Sequence, residues 1–327
     1  MRSLRLSVFL LLGLLLFESG ASCSTRRSSG LSPQPTPYQT FSGANLSLFA
    51  WAGNHVAFLT SEANRDPAVM ARLLQVFDRV YDYYHQATGR EPAPAKTFQG
   101  RDTIAVVDQT CGAGCGLLGS TGIELLKSTF EILYTGVRDR NQFDQVVFYE
   151  FGRNFWFFND QIQYKQPDSQ DSVATGYAVY MRFMSMDNTG VKPGPFNGVA
   201  FSKFRMTVED LVTSYEADPK LTWSNTLRVG SAPANPLGLS GTDLFASFLM
   251  RLTRIYGATF PLHLWPAVAA RPPARTTQDA VDNLVLAACA ATSKNLVEVF
   301  ADRWRWPVSS MARSEAKTRF GPPVKLP

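Results

Sequence analysis

The sequence contains few charged residues: Lys, Arg, Asp and Glu make up only 18% of its 327 residues, and the formal net charge is +5. With 45% hydrophobic residues, such a chain is neither intrinsically disordered nor a coiled coil. It also has no basic stripe and no nucleic-acid-binding module, so nucleic acid is not expected as a partner. The composition predicts a globular protein of two domains, or of one large domain with two halves.

Histidine is scarce as well, and the three histidines are His55, His85 and His263. They are far apart, and no pair has the H-x-H or H-x3-H spacing that is typical of a metal site. The chain lacks the G-x-S-x-G motif of serine hydrolases. Its glycines near Cys111 are not followed by the Lys-Ser or Lys-Thr pair of a phosphate-binding loop. These absences exclude the most familiar hydrolase and nucleotide-enzyme signatures.

A long apolar run occurs only at the amino terminus. Arg2 and Arg5 precede an apolar stretch over residues 6–17, and small residues then offer a cleavage site. This pattern predicts a secretory signal over residues 1–22, because the run is too short for a hydrocarbon core of about 30 Å. We therefore expect a secreted or extracytoplasmic protein with no integral membrane segment. Lipoprotein anchoring through Cys23 is the alternative.

Cysteine is rare too, with four residues in the chain. In an oxidising compartment, Cys111 and Cys115 can close the small Gly-rich loop between them as a disulfide. A metal site is less consistent with the pattern, since there is no second pair at zinc spacing. Cys289 lies in an apolar stretch and is predicted to be a buried thiol. Asn45 fits a glycosylation acceptor if the chain passes through a eukaryotic secretory pathway.

Changes in composition along the chain predict its organisation. Residues 23–45 are rich in Ser, Thr, Pro and Gly and are predicted to form a flexible leader. Residues 46–165 are predicted to form a mixed αβ half that ends in a strongly apolar central helix over 143–158. Residues 166–312 are predicted to form a helical half, and residues 313–327 a solvated tail.

Individual elements follow from hydrophobic periodicity. The pattern predicts strands over residues 54–60, 103–107 and 130–134, and helices over residues 67–88, 143–158, 173–186, 207–216, 243–256, 277–290 and 295–300.

Two short motifs carry most of the functional information. The central helix contains the sequence YEFGRN from Tyr149 to Asn154, and the next helix contains TGYAVY from Thr175. Here the chain resembles the gluzincin branch of the zincin metallopeptidases, which carry H-E-x-x-H and then an E-G-[FY]-A-x-Y-like segment. Residues i and i+4 share one helical face and can hold one zinc ion, while the glutamate between them is the general base. The resemblance implies an α+β zincin-like fold, with a small sheet in the first half and a mainly helical second half.

The residues at the metal-binding positions differ from the gluzincin pattern. Tyr149 and Arg153 stand where that pattern has histidines, and Thr175 stands where it has the glutamate ligand. Only Glu150 matches its counterpart. Arginine is permanently cationic and cannot bind zinc, and threonine and neutral tyrosine are poor ligands. We therefore predict no metal, no cofactor and no peptidase activity.

The resulting hypothesis is a secreted pseudo-metallopeptidase that acts as a binding or regulatory module. Its vestigial cleft would present Tyr149, Arg153, Asn154 and Thr175 to a peptide, protein or glycan, with Glu150 as the vestigial catalytic residue. Since Arg153 follows Glu150 by three positions, we also expect these two side chains to pair along the helix.

A metal-independent hydrolase of peptides or glycans is the alternative. In this hypothesis Glu150 acts as acid or base, with Tyr149 as its hydrogen-bonding partner. Glycoside cleavage would need a second carboxylate about 5–9.5 Å away. Asp160, Asp168 and Asp171 are the nearest candidates on the carboxyl-terminal side of Glu150.

Overall fold

The computed structural model of the protein describes residues 32–326. The predicted signal over residues 1–22 and the alternative anchor at Cys23 lie outside this range. Among the described residues, no helix combines the length and apolar character needed to cross a bilayer.

A seven-stranded sheet forms the first part of the fold. Its strands are β1 (Gln34–Gln39), β2 (Asn45–Ala52), β3 (Val56–Thr60), β4 (Thr97–Phe98), β5 (Arg101–Val107), β6 (Gly114–Gly116) and β7 (Ile123–Leu126). The strand order is β1-β2-β3-β5-β7-β6, with β4 added to β5. β3, β5 and β7 are parallel, whereas β6 pairs antiparallel with β7 and forms one edge. This edge faces the helix that carries the first motif.

The helices lie mainly in the second part of the chain. They are α1 (Pro67–Thr88), α2 (Lys127–Arg140), α3 (Val146–Asn154), α4 (Asn159–Ile162), α5 (Asp171–Thr189), α6 (Phe201–Ala217), α7 (Gly241–Tyr256), α8 (Phe260–Ala269), α9 (Thr277–Thr292) and α10 (Ser310–Phe320). A small parallel pair of β8 (Gln142–Phe143) and β9 (Lys192–Pro193) accompanies them. The expected mixture of helix and sheet is confirmed.

Helix α1 shows how local signals set an element's ends. Asp66 caps the helix by accepting a hydrogen bond from the backbone N–H of Ala68, and Pro67 occupies the first turn. Gly89 ends the helix with a φ of 65°, which glycine adopts without strain. The predicted range 67–88 agrees with the structure.

Parts of two regions predicted to lack regular structure form a strand and a helix. Gln34–Gln39 form strand β1, paired with β2, so the leader predicted over 23–45 is wrong from residue 34 onward. The prolines of this segment are tolerated because β1 is an edge strand. The predicted tail over 313–327 overlaps helix α10, which starts at the capping residue Ser309.

Two elements near the central helix also differ from prediction. Residues 130–134 belong to helix α2 rather than to a strand, because Phe130, Leu133, Tyr134 and Val137 are buried at helical spacing. The central helix predicted over 143–158 is shorter, since α3 spans only Val146–Asn154. Phe155, Trp156 and Phe158 after it are buried without being helical, so this apolar run reflects core packing.

In the second half of the chain, most of the predicted helices agree with the structure. The segments 173–186, 207–216, 243–256 and 277–290 all lie inside helices, namely α5, α6, α7 and α9. The segment 295–300 is wrong as a helix of that extent, because the structure has a π-helical turn over Val299–Arg303.

Helices α3 and α5 approach each other very closely at one glycine. A Cβ atom on Gly152 of α3 would lie 2.7 Å from the Cα and 2.8 Å from the Cβ of Ala178 on α5. Real Cβ atoms do not come so near, so only glycine fits here. This contact fixes the position of the first motif relative to the second.

We therefore predict that Gly152→Ala destabilises the protein. In an isolated helix this change would be favourable by up to about 1 kcal/mol. Overpacking against Ala178 costs about 1–3 kcal/mol and outweighs that gain. Denaturant unfolding of the two proteins measures the difference. Gly112→Ala is the matched control, because its nearest contact would be an ordinary 3.5 Å, and a loss of stability as large there would contradict this explanation.

Candidate functional site

Glu150 is held between helix α3 and the edge strand β6. Its side chain is 5% exposed, and its Oε2 atom accepts a hydrogen bond of 2.8 Å from the backbone N–H of Gly116. A Cβ on Gly116 would lie 2.7 Å from the Glu150 carbonyl oxygen. Glycine at this position is therefore what lets β6 come close enough to bind the carboxylate.

Burial raises the pKa of Glu150 to about 7, against the opposing effects of the Gly116 N–H and the Arg153 charge. A carboxyl group with this pKa exchanges its proton near neutral pH. That property is unusual for glutamate and marks the group as a candidate for function.

Arg153 contacts Thr175 across the interface between α3 and α5. Its Nη1 atom donates a hydrogen bond of 3.2 Å to the Thr175 hydroxyl. The ion pair expected between Glu150 and Arg153 is not formed, although both residues lie in the described range. The reason is that Gly116 binds the carboxylate and Thr175 binds the guanidinium.

Tyr149 lies beside the same pair. Burial raises the pKa of its phenol, which the nearby Glu150 raises further, while Arg153, the Thr175 hydroxyl and Arg182 act in the opposite direction. The Arg182 guanidinium lies 5.8 Å from the Tyr149 ring centroid. The structure thus brings Tyr149, Arg153 and Thr175 together, although they come from two separate motifs.

Asn154 has a different role from the one predicted. It is fully buried, and its Nδ2 atom donates to the carbonyl oxygens of Leu117 and Gly122 at 2.9 Å and 3.1 Å. The expectation that it faces a ligand in the cleft is therefore wrong. Asn154 instead ties the end of α3 to the loop that joins β6 and β7.

A cleft of about 550 Å³ opens beside Thr175. Hydroxyl groups dominate its wall, which is lined by Ser169, Asp171, Ser172, Thr175, Gly230, Ser240 and Thr242. Apart from Thr175 and Asp171, sequence reasoning missed these residues. The only local signal was the Ser240-Gly241-Thr242 start of helix α7, where Ser240 and Asp243 form a capping box.

Cysteine and histidine side chains are the other groups that could hold a metal ion. The predicted disulfide between Cys111 and Cys115 is present at the start of β6, and Cys289 is a buried free thiol. His55 stacks on Tyr81 and lies 3.1 Å from Asp82. Within residues 32–326, no group of three or more His, Cys, Asp or Glu side chains is arranged to hold a metal ion.

The raised pKa of Glu150 predicts a pH-dependent stability. Because the folded-state pKa lies above the unfolded value, the protonated carboxyl is favoured on folding. The contribution of Glu150 to the free energy of unfolding is greatest below about pH 4.5. It falls by up to about 3 kcal/mol as the pH rises to 7. The variant Glu150→Gln should lack this fall, since its amide oxygen can still accept from Gly116.

Denaturant titrations of wild type and Glu150→Gln at pH 4.5, 6 and 7.5 measure the effect. As the pH rises, the free energy of unfolding of Glu150→Gln should increase relative to that of the wild type. A constant gap would contradict the assigned pKa shift.

Comparisons with known proteins reveal only structural relatives. No protein-family model matches the sequence, and no curated protein sequence matches it significantly. Among solved structures, a conserved protein mutant of unknown function from Bacillus anthracis superposes with a TM-score of 0.55 at 11% identity. That comparison covers 85% of this chain and 53% of the other.

Several of the similar structures are peptidases or their catalytic domains. The M60 catalytic domain of ZmpC from Clostridium perfringens, in complex with the sialyl T antigen, gives a TM-score of 0.52 at 14% identity. IMPa from Pseudomonas aeruginosa, in complex with an O-glycopeptide, gives 0.50 at 14% identity. Each superposition covers 85% of this chain, and this chain spans 50% of the ZmpC chain and 36% of the IMPa chain.

This chain spans about half the length of the first relatives, and at such low identity the likeness shows the fold alone. The fold is that of M60-like, zincin-type metallopeptidase catalytic domains.

Proposed function

We propose that this protein is a peptidase-inactive member of the zincin-like fold that binds a ligand through the cleft beside Thr175. One observation carries the proposal: Tyr149, Arg153 and Thr175, which occupy the ligand positions of the gluzincin motif, converge on one another. The hydrogen bond of 3.2 Å between Arg153 and Thr175 joins the two motif segments.

The donor set at this position does not suit zinc. Zinc is held by thiolate, imidazole or carboxylate, and none of the three residues supplies one. A guanidinium would repel the ion, and the raised pKa of Tyr149 keeps its phenol neutral. Because the residues do not fit the metal, no metal-dependent step is assigned to this chain.

The cleft chemistry supports a glycan or glycopeptide as the ligand. Its serine and threonine hydroxyls and the carboxylate of Asp171 can exchange hydrogen bonds with sugar hydroxyls. ZmpC and IMPa, which share the fold, were solved with a glycan and an O-glycopeptide. The Cys111–Cys115 disulfide and the amino-terminal sequence pattern support a secreted or extracytoplasmic location.

Metal content tests the proposal directly. After saturation with zinc and desalting, the wild-type protein should retain far less than one equivalent by elemental analysis. The triple variant Tyr149→His, Arg153→His, Thr175→Glu should retain about one equivalent, because it restores a complete zincin donor set. A control with Thr175→Gln in place of Thr175→Glu should bind zinc more weakly.

A full equivalent of zinc in the wild type would overturn the proposal. Failure of the folded triple variant to bind zinc would show that these three positions do not correspond to the zincin ligands. Circular dichroism establishes that the variant is folded.

A metal-independent hydrolase is the second candidate, and the pKa of Glu150 near 7 favours it. Of the candidate second carboxylates, Asp171 lines the cleft, whereas Asp168 is paired with Arg228 at 2.7 Å and Asp160 is exposed on α4. Against this function, Glu150 is nearly fully buried and one of its oxygens is bound by Gly116.

Turnover separates the two candidates. We expect neither wild type nor Glu150→Gln to cleave peptide, glycan or glycopeptide libraries. Cleavage by the wild type that falls by about a hundredfold or more in Glu150→Gln would instead identify Glu150 as the acid or base of a hydrolase.

A further inference from the structure

Arg153 has hydrogen-bond donors that the protein leaves unused. Its Nη1 atom binds Thr175, but among residues 32–326 no acceptor binds its Nε or Nη2 atom and no carboxylate forms an ion pair with it. The side chain is only partly buried, and its partner Thr175 lines the cleft. Other arginines of the fold are paired with carboxylates, as in Arg205–Asp187, Arg271–Glu315 and Arg303–Glu216.

A second cation lies near this position, but carboxylates act on it. Arg182 on helix α5 is 4% exposed, and its Nη1 atom donates to Gln145 while its buried Nε atom has no partner in the described chain. Arg182 and Arg153 both act electrostatically on Tyr149. The carboxylates of Asp144 and Asp243 act on Arg182, so Arg153 is the cation near Tyr149 that forms no ion pair within the described residues.

Negative groups limit what can bind there. Glu150 lies one helical turn before Arg153, but its carboxyl is buried and bound by Gly116. Asp171 lies on the cleft wall and is exposed. A compact dianion such as phosphate would be repelled more strongly by Asp171 than a monoanion. A planar carboxylate also matches the two-pronged edge of a guanidinium.

We propose that Arg153 binds a carboxylate group of the ligand, and hence that the cleft selects acidic glycopeptides over neutral ones. This inference rests on the proposed binding function. The carboxylate can come from an acidic sugar or from an acidic residue of the peptide. In both cases the free edge of Arg153 forms the charge-assisted hydrogen bonds, and Thr175 holds the guanidinium in place.

Calorimetric titration of the full chain with three probes tests the inference. The probes are a glycopeptide that carries the sialyl T antigen, the same glycopeptide after removal of sialic acid, and a version of the first whose Asp and Glu residues are replaced by Asn and Gln. The probe that lacks the recognised carboxylate should bind about tenfold more weakly or worse. Weaker binding of the probe without sialic acid would identify the sugar as the source of the carboxylate. Weaker binding of the probe without Asp and Glu would identify the peptide.

Variants of Arg153 assign the effect to this residue. Arg153→Met should remove the preference, so that the acidic and neutral probes bind this variant with equal affinity. Arg153→Lys should keep part of the preference, because a point charge lacks the fork geometry, and it decides the question if Arg153→Met does not fold. Arg138→Met is the matched control, since Arg138 is exposed on α2 and pairs with Asp139. It should keep the wild-type preference.

The possible failures are distinguishable. If all three probes bind wild type with equal affinity, the carboxylate inference is overturned and the proposed binding function stands. If none binds, both are overturned. A preference that survives in Arg153→Met and Arg153→Lys would also overturn the inference, because another cation would then be responsible.

Discussion

The candidate site depends on how closely three helices approach one another. Gly152 of α3 lies against Ala178 of α5, where a Cβ would come within 2.7 Å of the neighbouring backbone. Gly176 of α5 lies against Phe245 and the Thr242 carbonyl of α7, where a Cβ would come within 2.9 Å. Helices that pack without intervening side chains hold their neighbouring residues in fixed relative positions. As a result, Thr175 and the start of α7 line one cleft, and Arg153 is hydrogen-bonded to Thr175.

The sheet contributes a second constraint through buried polar contacts. Asp102 of β5 accepts a hydrogen bond of 2.6 Å from the Gly122 N–H, and the Gly122 carbonyl accepts from Asn154. Burial raises the pKa of Asp102 to about 8, so this carboxyl is largely protonated at neutral pH. Together with the bond from Gly116 to Glu150, the contacts of Asn154 join both ends of the loop between β6 and β7 to α3. The hairpin is therefore positioned by hydrogen bonds as well as by packing.

Sequence patterns predicted the parts of the fold that local chemistry determines. Helix α1 was predicted with its correct ends because Asp66, Pro67 and Gly89 are explicit end signals. Strand β1 was missed because its prolines are typical of a leader, and only pairing with β2 makes it a strand. The helix over 143–158 was predicted too long, since aromatic residues such as Phe155 and Phe158 are apolar for tertiary reasons. Periodicity cannot distinguish a buried helix from buried irregular chain.

At the site, too, local motifs identified some residues, whereas others reach it only through tertiary packing. Tyr149, Arg153 and Thr175 could be associated through their two motifs, because each motif has a recognisable spacing. Ser240, Thr242 and Gly230 could not, since they reach the cleft only through the packing of α5 against α7. Asn154 looked like a cleft residue from its position beside Arg153, yet adjacent helical residues point in different directions. Its burial therefore follows from helix geometry.

In the proposed correspondence with the gluzincin pattern, Arg153 stands where a zinc ligand would stand, and this would change what the cleft can do. Zinc activates water by lowering its pKa and then stabilises the charge that develops during hydrolysis. A guanidinium keeps a positive charge at that place but has no open coordination position and cannot activate water in this way. It can, however, bind an anionic group with defined geometry. In the proposed function, Arg153 is held by Thr175, keeps free donors and serves recognition instead of catalysis. In the same correspondence Glu150 matches the general base, and the bond that its buried carboxyl accepts from the Gly116 N–H gives it a structural role.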